Sequence, residues 1–213
     1  GNGNFNTGEM YTINRPPVSI LSETFRSNGA NDGWVLESNE DSNKGGTKNS
    51  NATTFNLGDD AKDRMYRTIL HFPTSYLPDN AVVTQAILMI KRQGNVGTDP
   101  FNTHQGISID IRKGPFGSIG PFSVAALQAL DFQAPADKYS VGVIQNNPVS
   151  GWYWSVLDNS ALPFINLAGI TQFRLGFQVD DNDDRDNDYL KFFSGNSNAL
   201  EDRPQLLIKY FVP

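Results

Sequence analysis

A chain of 213 residues with 17 Lys plus Arg against 23 Asp plus Glu carries a formal charge of −6. It has no cysteine, which excludes disulfides and thiolate metal sites, and its acidity argues against nucleic-acid binding, which needs a basic stripe. No apolar run approaches the roughly 18 residues of a membrane span. Polarity comes instead from uncharged groups, chiefly 22 asparagines. That composition points to an extracellular or cell-surface prokaryotic protein. The opening Gly1-Asn2-Gly3-Asn4 fits a secreted chain whose signal peptide has been removed.

Residues 1–17 differ from the rest of the chain. They are mostly small and polar, yet carry Phe5, Met10, Tyr11 and Ile13 and end in Pro16-Pro17, whose rings fix an extended joint. A disordered tail has little use for four large apolar side chains. They are read as an assembly segment, a candidate donor strand that pairs within its own sheet or with an open edge of a neighbouring subunit; the alternative is a floppy secreted tail.

From residue 18 to 213 the pattern is that of one β-sandwich domain. Strands are predicted at 18–25, 33–37, 53–57, 66–72 and 81–92. The clearest is Ile107-Ser108-Ile109-Asp110-Ile111-Arg112, with three isoleucines on one face. Ser123 to Leu130 has a Ser cap and good helix formers, which predicts a short helix. Strands follow at 139–145 and 152–157, a helical turn near 160–165, and then Phe173, Leu175, Phe177 and Val179 on one face of another strand. The last strands are 189–193 and 204–212. About eleven short alternating strands predict an all-β, two-sheet antiparallel jelly roll with one or two short helices.

The most unusual local feature is Asp180-Asp181-Asn182-Asp183-Asp184-Arg185-Asp186-Asn187-Asp188. Six carboxylates in nine residues repel one another unless a cation or solvent screens them. Asp184, Asp186 and Asp188 have the alternate spacing of an EF-hand start, but Tyr189 and Gly195 stand where the turn glycine and bidentate glutamate belong. The residue types suit a structural Ca2+ held by Asp180, Asp181, Asp183, Asp184, Asp186 and Asp188, shared with another loop such as Gly58-Asp59-Asp60 or Asn31-Asp32-Gly33. The alternative is a solvated acidic loop with Arg185 as counter-charge.

Trp152 and Trp154 lie two apart, on one face of a strand with Val156. The valine favours burial of that face; the alternative is a pair that stacks on sugar rings. Phe101 and His104, in the loop 94–106, are candidates for an exposed contact surface, as is the Gly/Pro/Phe-rich stretch 114–122. Only two histidines are present, and no nucleophile elbow, zinc helix or phosphate loop appears. The chain is therefore read as non-catalytic.

Three stretches resemble the DNRLRE-type β-sandwich domains of secreted bacterial and archaeal proteins. One is Arg67–Phe72 with Tyr76–Thr84 and Ala86–Ile90; the second is Ser150–Tyr153; the third is Tyr189–Gly195 with Arg203–Ile208. The resemblance implies a jelly roll of the carbohydrate-binding-module kind, with polysaccharide as a ligand class and a structural calcium. Here the module is accompanied by an N-terminal extension rather than a catalytic domain. The expectation is a structural protein that forms filaments or a surface layer by strand addition between copies; the alternative is a polysaccharide-binding module.

Overall fold

The computed structural model describes residues 18–117 and 124–213, so the segment bearing Phe5, Met10, Tyr11 and Ile13 lies outside the described residues. The fold is all-β and antiparallel. In chain order the strands are β1 (Leu21–Arg26), β2 (Gly33–Glu37), β3 (Gly45–Asn49), β4 (Thr54–Asp59), β5 (Met65–Phe72), β6 (Val82–Val96), β7 (Ile107–Arg112), β8 (Lys138–Ile144), β9 (Trp152–Val156), β10 (Thr171–Phe177), β11 (Asp188–Phe193) and β12 (Gln205–Phe211). Pairing runs β1-β12-β6-β11-β4-β5-β10-β7-β8, with β2 and β3 joined onto β5 and β9 onto β6.

The long strand β6 folds this sheet into two layers. Residues from Val82 to Lys91 pair with β12 and β9, whereas Arg92–Val96 pair with β11. One layer is thus β1, β12, β6 and β9, and the other holds the remaining strands. The curl nearly closes where the Asp158 N–H donates to the Val141 carbonyl at 2.8 Å. Alternate residues fill the space between layers: Leu206 and Ile208 of β12 and Leu88 and Ile90 of β6 face Phe55, Leu70, Phe173, Leu175 and Phe192. Each large side chain taken from water contributes about 1.5–3 kcal/mol, and this core sets the register of the strands that feed it.

The outward face of the second layer is not simply wet. The stretch 124–137, together with Phe116, lies across it. Phe116, Leu127, Phe132 and Ala134 bury Val35, Met65 and Ile69 in a second apolar cluster. The helix expected over 123–130 does not form across 124–130. Instead there is one 3-10 turn, Ala129–Phe132, held by a reciprocal pair of bonds between Gln128 and Asp131. Insertion of Leu127 into the second cluster outweighs the helix propensity of its neighbours. Phe116, from the stretch expected as a contact surface, is 1% exposed and belongs to this cluster. The turn expected near 160–165 is a 3-10 turn, Asn159–Phe164.

Two buried aspartates make stability depend on pH. Burial pushes Asp32 up to about 6, against opposing bonds from the Gly195 N–H and Ser27 hydroxyl and the charge of Arg203. Burial likewise pushes Asp131 up to about 6, opposed by the Gln128 N–H and by Lys48 and Arg174. Between the ordinary value of 3.8 and about 6 the folded chain therefore binds more protons than the unfolded one. Stability from these groups rises as pH falls through that window and is absent above it, by about 3 kcal/mol for each. Urea unfolding at pH 7 and pH 5 should show Asp32→Asn gaining less on acidification than the wild type. An identical gain in both proteins would contradict this.

Candidate functional site

The six aspartates of the acidic stretch are not equivalent. Asp180, Asp183, Asp184 and Asp186 are exposed, Asp181 is half-buried, and Asp188, the first residue of β11, is fully buried. Directly opposite Asp188 in the β4–β11 register stands Asp59, also with 0% exposure. Cross-strand partners project from the same face, and like charges so placed are destabilising. Asp188 Oδ1 accepts from the Thr98 N–H at 2.6 Å, and its Oδ2 accepts from the Asn182 amide at 3.3 Å. Asp59 Oδ1 is 3.0 Å from His104 Nε2, but Asp59 Oδ2 is buried without a partner, as is Asn182 Oδ1.

Local sequence explains why the chain can bring these groups together. Gly58 has φ +125°, and a Cβ there would collide with the Asp188 carbonyl oxygen. Gly97, at φ +69°, passes so close to Asn187 that any side chain would collide with its carbonyl; this turn delivers the Thr98 N–H to Asp188. In the acidic loop, Asp183 and Arg185 take positive φ of 57° and 61°. The loop is anchored to 59–64 through the Arg185 N–H on Asp63 Oδ1 (2.9 Å) and the Ala61 N–H on Asn187 Oδ1 (3.2 Å). The loop pairing proposed from sequence, 180–188 with 58–60, is therefore the one that the fold juxtaposes; Asp32 lies elsewhere, against Gly195.

Electrostatics follow from this crowding. Burial raises the Asp59 pKa, the His104 bond and charge oppose it, and Asp188 and Asp184 push it further up. Asp181 is pushed up to about 6 by burial first, then by Asp180, Asp183 and Asp59, with the Asp183 N–H opposing. Among the described residues no three or more His, Asp or Glu side chains are gathered closely enough to hold a metal ion as they stand. The Asn182 amide stands between Asp184 and Asp188, donating to both, at 2.8 and 3.3 Å.

His104 and Phe101 are not the exposed contact residues expected. His104 is 0% exposed, with Nε2 on Asp59 and Nδ1 2.6 Å from the Thr103 hydroxyl. Phe101 packs against the core, its ring parallel to Tyr153 at 5.5 Å and edge-on to Phe177 at 5.1 Å. The loop 94–106 turns inward because β6 continues to Val96 and Asp99 caps a 3-10 turn, Pro100–Asn102.

The tryptophans are reversed relative to the favoured expectation. Tyr153 is the core residue of β9, at 1% exposure, whereas Trp152 and Trp154 are half-buried on the outward face and Val156 is 51% exposed. Cross-strand rows on this face read Leu207, Ile87, Val156 and then Gln205, Met89, Trp154, with Lys91 beside Trp152. The Lys91 ammonium lies 5.9 Å from the Trp152 ring centre and pairs with Asp202. The result is a largely apolar, tryptophan-bearing sheet face.

A polar groove of about 340 Å³ lies on the other layer, lined by Arg67, Ser108, Asp110, Tyr139, Arg174 and Gln178 among others. Arg67 stacks 4.3 Å above the Phe132 ring and donates to the Phe132 carbonyl at 2.7 Å; burial, and then the neighbouring Arg174, lower its pKa. Sequence reading passed over both arginines. Their signal was a charged residue at the non-core position of two central strands, a hint that something covers that face.

Fold and sites together define an all-β, sandwich-like antiparallel domain with an apolar outward face, a polar groove and a buried aspartate pair. No family model matches the chain, and no curated protein matches it.

Proposed function

We propose that this is a non-catalytic extracellular structural protein that assembles into a filament or surface layer by N-terminal strand addition between copies. The observation that carries this reading is the open edge of β1. This strand pairs with β12 alone, and its other side has no partner among the described residues. The chain enters it through exposed Val18, Ile20 and Leu21, at 57%, 55% and 47%. An unpaired strand edge entered through exposed apolar residues is a template for another strand, although β1 itself also carries Glu23 and Arg26. The layer that contains β1 also presents the apolar face of Ile87, Met89, Trp154 and Leu207, which suits lateral contact between subunits. Both histidines are committed to buried contacts, His104 with Asp59 and His71 with Gln172, which supports a non-catalytic role.

A peptide of residues 1–17 added to the protein lacking those residues should bind as one strand per chain. Absence of binding by calorimetry at high micromolar concentration would contradict strand donation.

The outward Trp152 and Trp154 favour a second reading, a module that binds extracellular polysaccharide, in line with the resemblance to DNRLRE-type domains. Such stacking contributes through the rings, so Trp152→Ala with Trp154→Ala should abolish retardation in polysaccharide-containing gels. Equal mobility of wild type and double variant across neutral and acidic polymers would remove this reading.

A further inference from the structure

We infer that the β4–β11 strand pair carries a calcium site whose ligands are Asp59, Asp188 and the Asn182 side-chain oxygen, completed by Asp181 and Asp184 from the loop above. Two fully buried aspartates face each other in register on adjacent strands, an arrangement that a divalent cation between them would turn from repulsive to stabilising. The second observation is independent of the acidic composition. Asp59 is 0% exposed, and its Oδ2 has no hydrogen-bond partner, while its other oxygen is fixed by His104. Most buried acceptors are satisfied; Asp32 Oδ1 and Asp131 Oδ1 are unpartnered too, but neither stands opposite a second buried aspartate in a strand register, as Asp59 does.

Asn182 supplies the complementary sign. Its amide nitrogen points at Asp184 and Asp188 and leaves its own oxygen buried and unpartnered. Turning the amide about its terminal bond exchanges the two groups and aims an acceptor where the nitrogen now stands. The nitrogen thus occupies the place of a cation, and the loop closes by hydrogen bonds rather than by coordination.

The donor chemistry selects the ion. All the proposed ligands are hard oxygens, mostly carboxylates, and part of the set comes from a loop able to adjust, which suits the variable six-to-eight coordination of Ca2+ better than the rigid octahedron of Mg2+. Both nitrogens of His104 are already engaged, by Asp59 and Thr103, so it orients a ligand rather than binding the metal. The inference is independent of whether the protein assembles.

The test is thermal unfolding and calorimetry of the chelator-treated full chain, titrated with CaCl2 and separately with MgCl2. Calcium should raise the melting temperature with one site per chain, and magnesium should do so far less. Asp59→Asn and Asp188→Asn should lose the calcium-dependent rise, yet in chelator melt no lower than wild type, because each removes one of two facing charges. Should either fail to fold, Asp184→Asn on the exposed loop should weaken calcium binding about tenfold without altering the melt in chelator. No calcium effect at millimolar concentration, an equal magnesium effect, or a rise that survives these substitutions would overturn the site.

Discussion

Replacing Arg174 with alanine is expected to destabilise the protein by about 3–5 kcal/mol, the cost of leaving buried polar partners uncompensated. The side chain is 4% exposed, at the centre of β10. Its Nε and Nη2 donate to Asp110 Oδ2 at 3.1 and 2.8 Å, and Nη1 donates to the carbonyls of Asp131, Phe132 and Ala134 at 3.1, 3.1 and 2.6 Å. The guanidinium also lies 4.9 Å from the Phe116 ring centre. One planar cation therefore fastens the covering segment to the sheet and seals the cluster around Val35, Met65 and Ile69. Lysine should not rescue the loss, since a single ammonium cannot span a carboxylate and three carbonyls in that fork geometry. Urea unfolding measures the loss, and protease sensitivity between 124 and 137 should rise with it. A loss below about 1 kcal/mol, the range of exposed ion pairs, would show that the segment is held by its apolar side chains alone.

Deleting residues 1–17 should convert assemblies to monomers while leaving the melting of the sandwich nearly unchanged. Among the described residues, 18–117 and 124–213, the two layers, both apolar clusters and the Asp59–Asp188 pair are built without that segment, and these contacts are expected to survive the deletion. What it removes is the segment that carries Phe5, Met10, Tyr11 and Ile13. Light scattering and unfolding of the truncated chain check the two halves of this expectation separately. A truncated chain that still assembles would place the contact elsewhere, for instance on the outward face bearing Trp154 and Met89.

How far the fold could be read in advance depended on whether one face of a segment was plainly apolar. β7, β10 and β12 were legible because period-two alternation names the strand and its inner face together. β3, Gly45-Gly46-Thr47-Lys48-Asn49, has no such face. It exists because it pairs with β2 and because Gly45 lies hard against the Ala129 carbonyl, where no side chain fits. β9 shows the limit of alternation, since Trp152, Trp154 and Val156 form the more apolar set yet face outward, and Tyr153 fills the core. The site was legible as an acidic cluster but not as a strand pair. That Asp59 meets Asp188, and that His104 turns inward to hold Asp59, depend on tertiary register between segments far apart in sequence. The burial of Arg174 depends on a covering segment whose own composition suggested a helix.

Negative-stain electron microscopy of the native full-length protein tests the central claim most directly. Regular filaments or layers, lost when residues 1–17 are removed, are the predicted result. Dispersed single particles of the full chain at concentrations well above micromolar, or assemblies unchanged by the deletion, would contradict it.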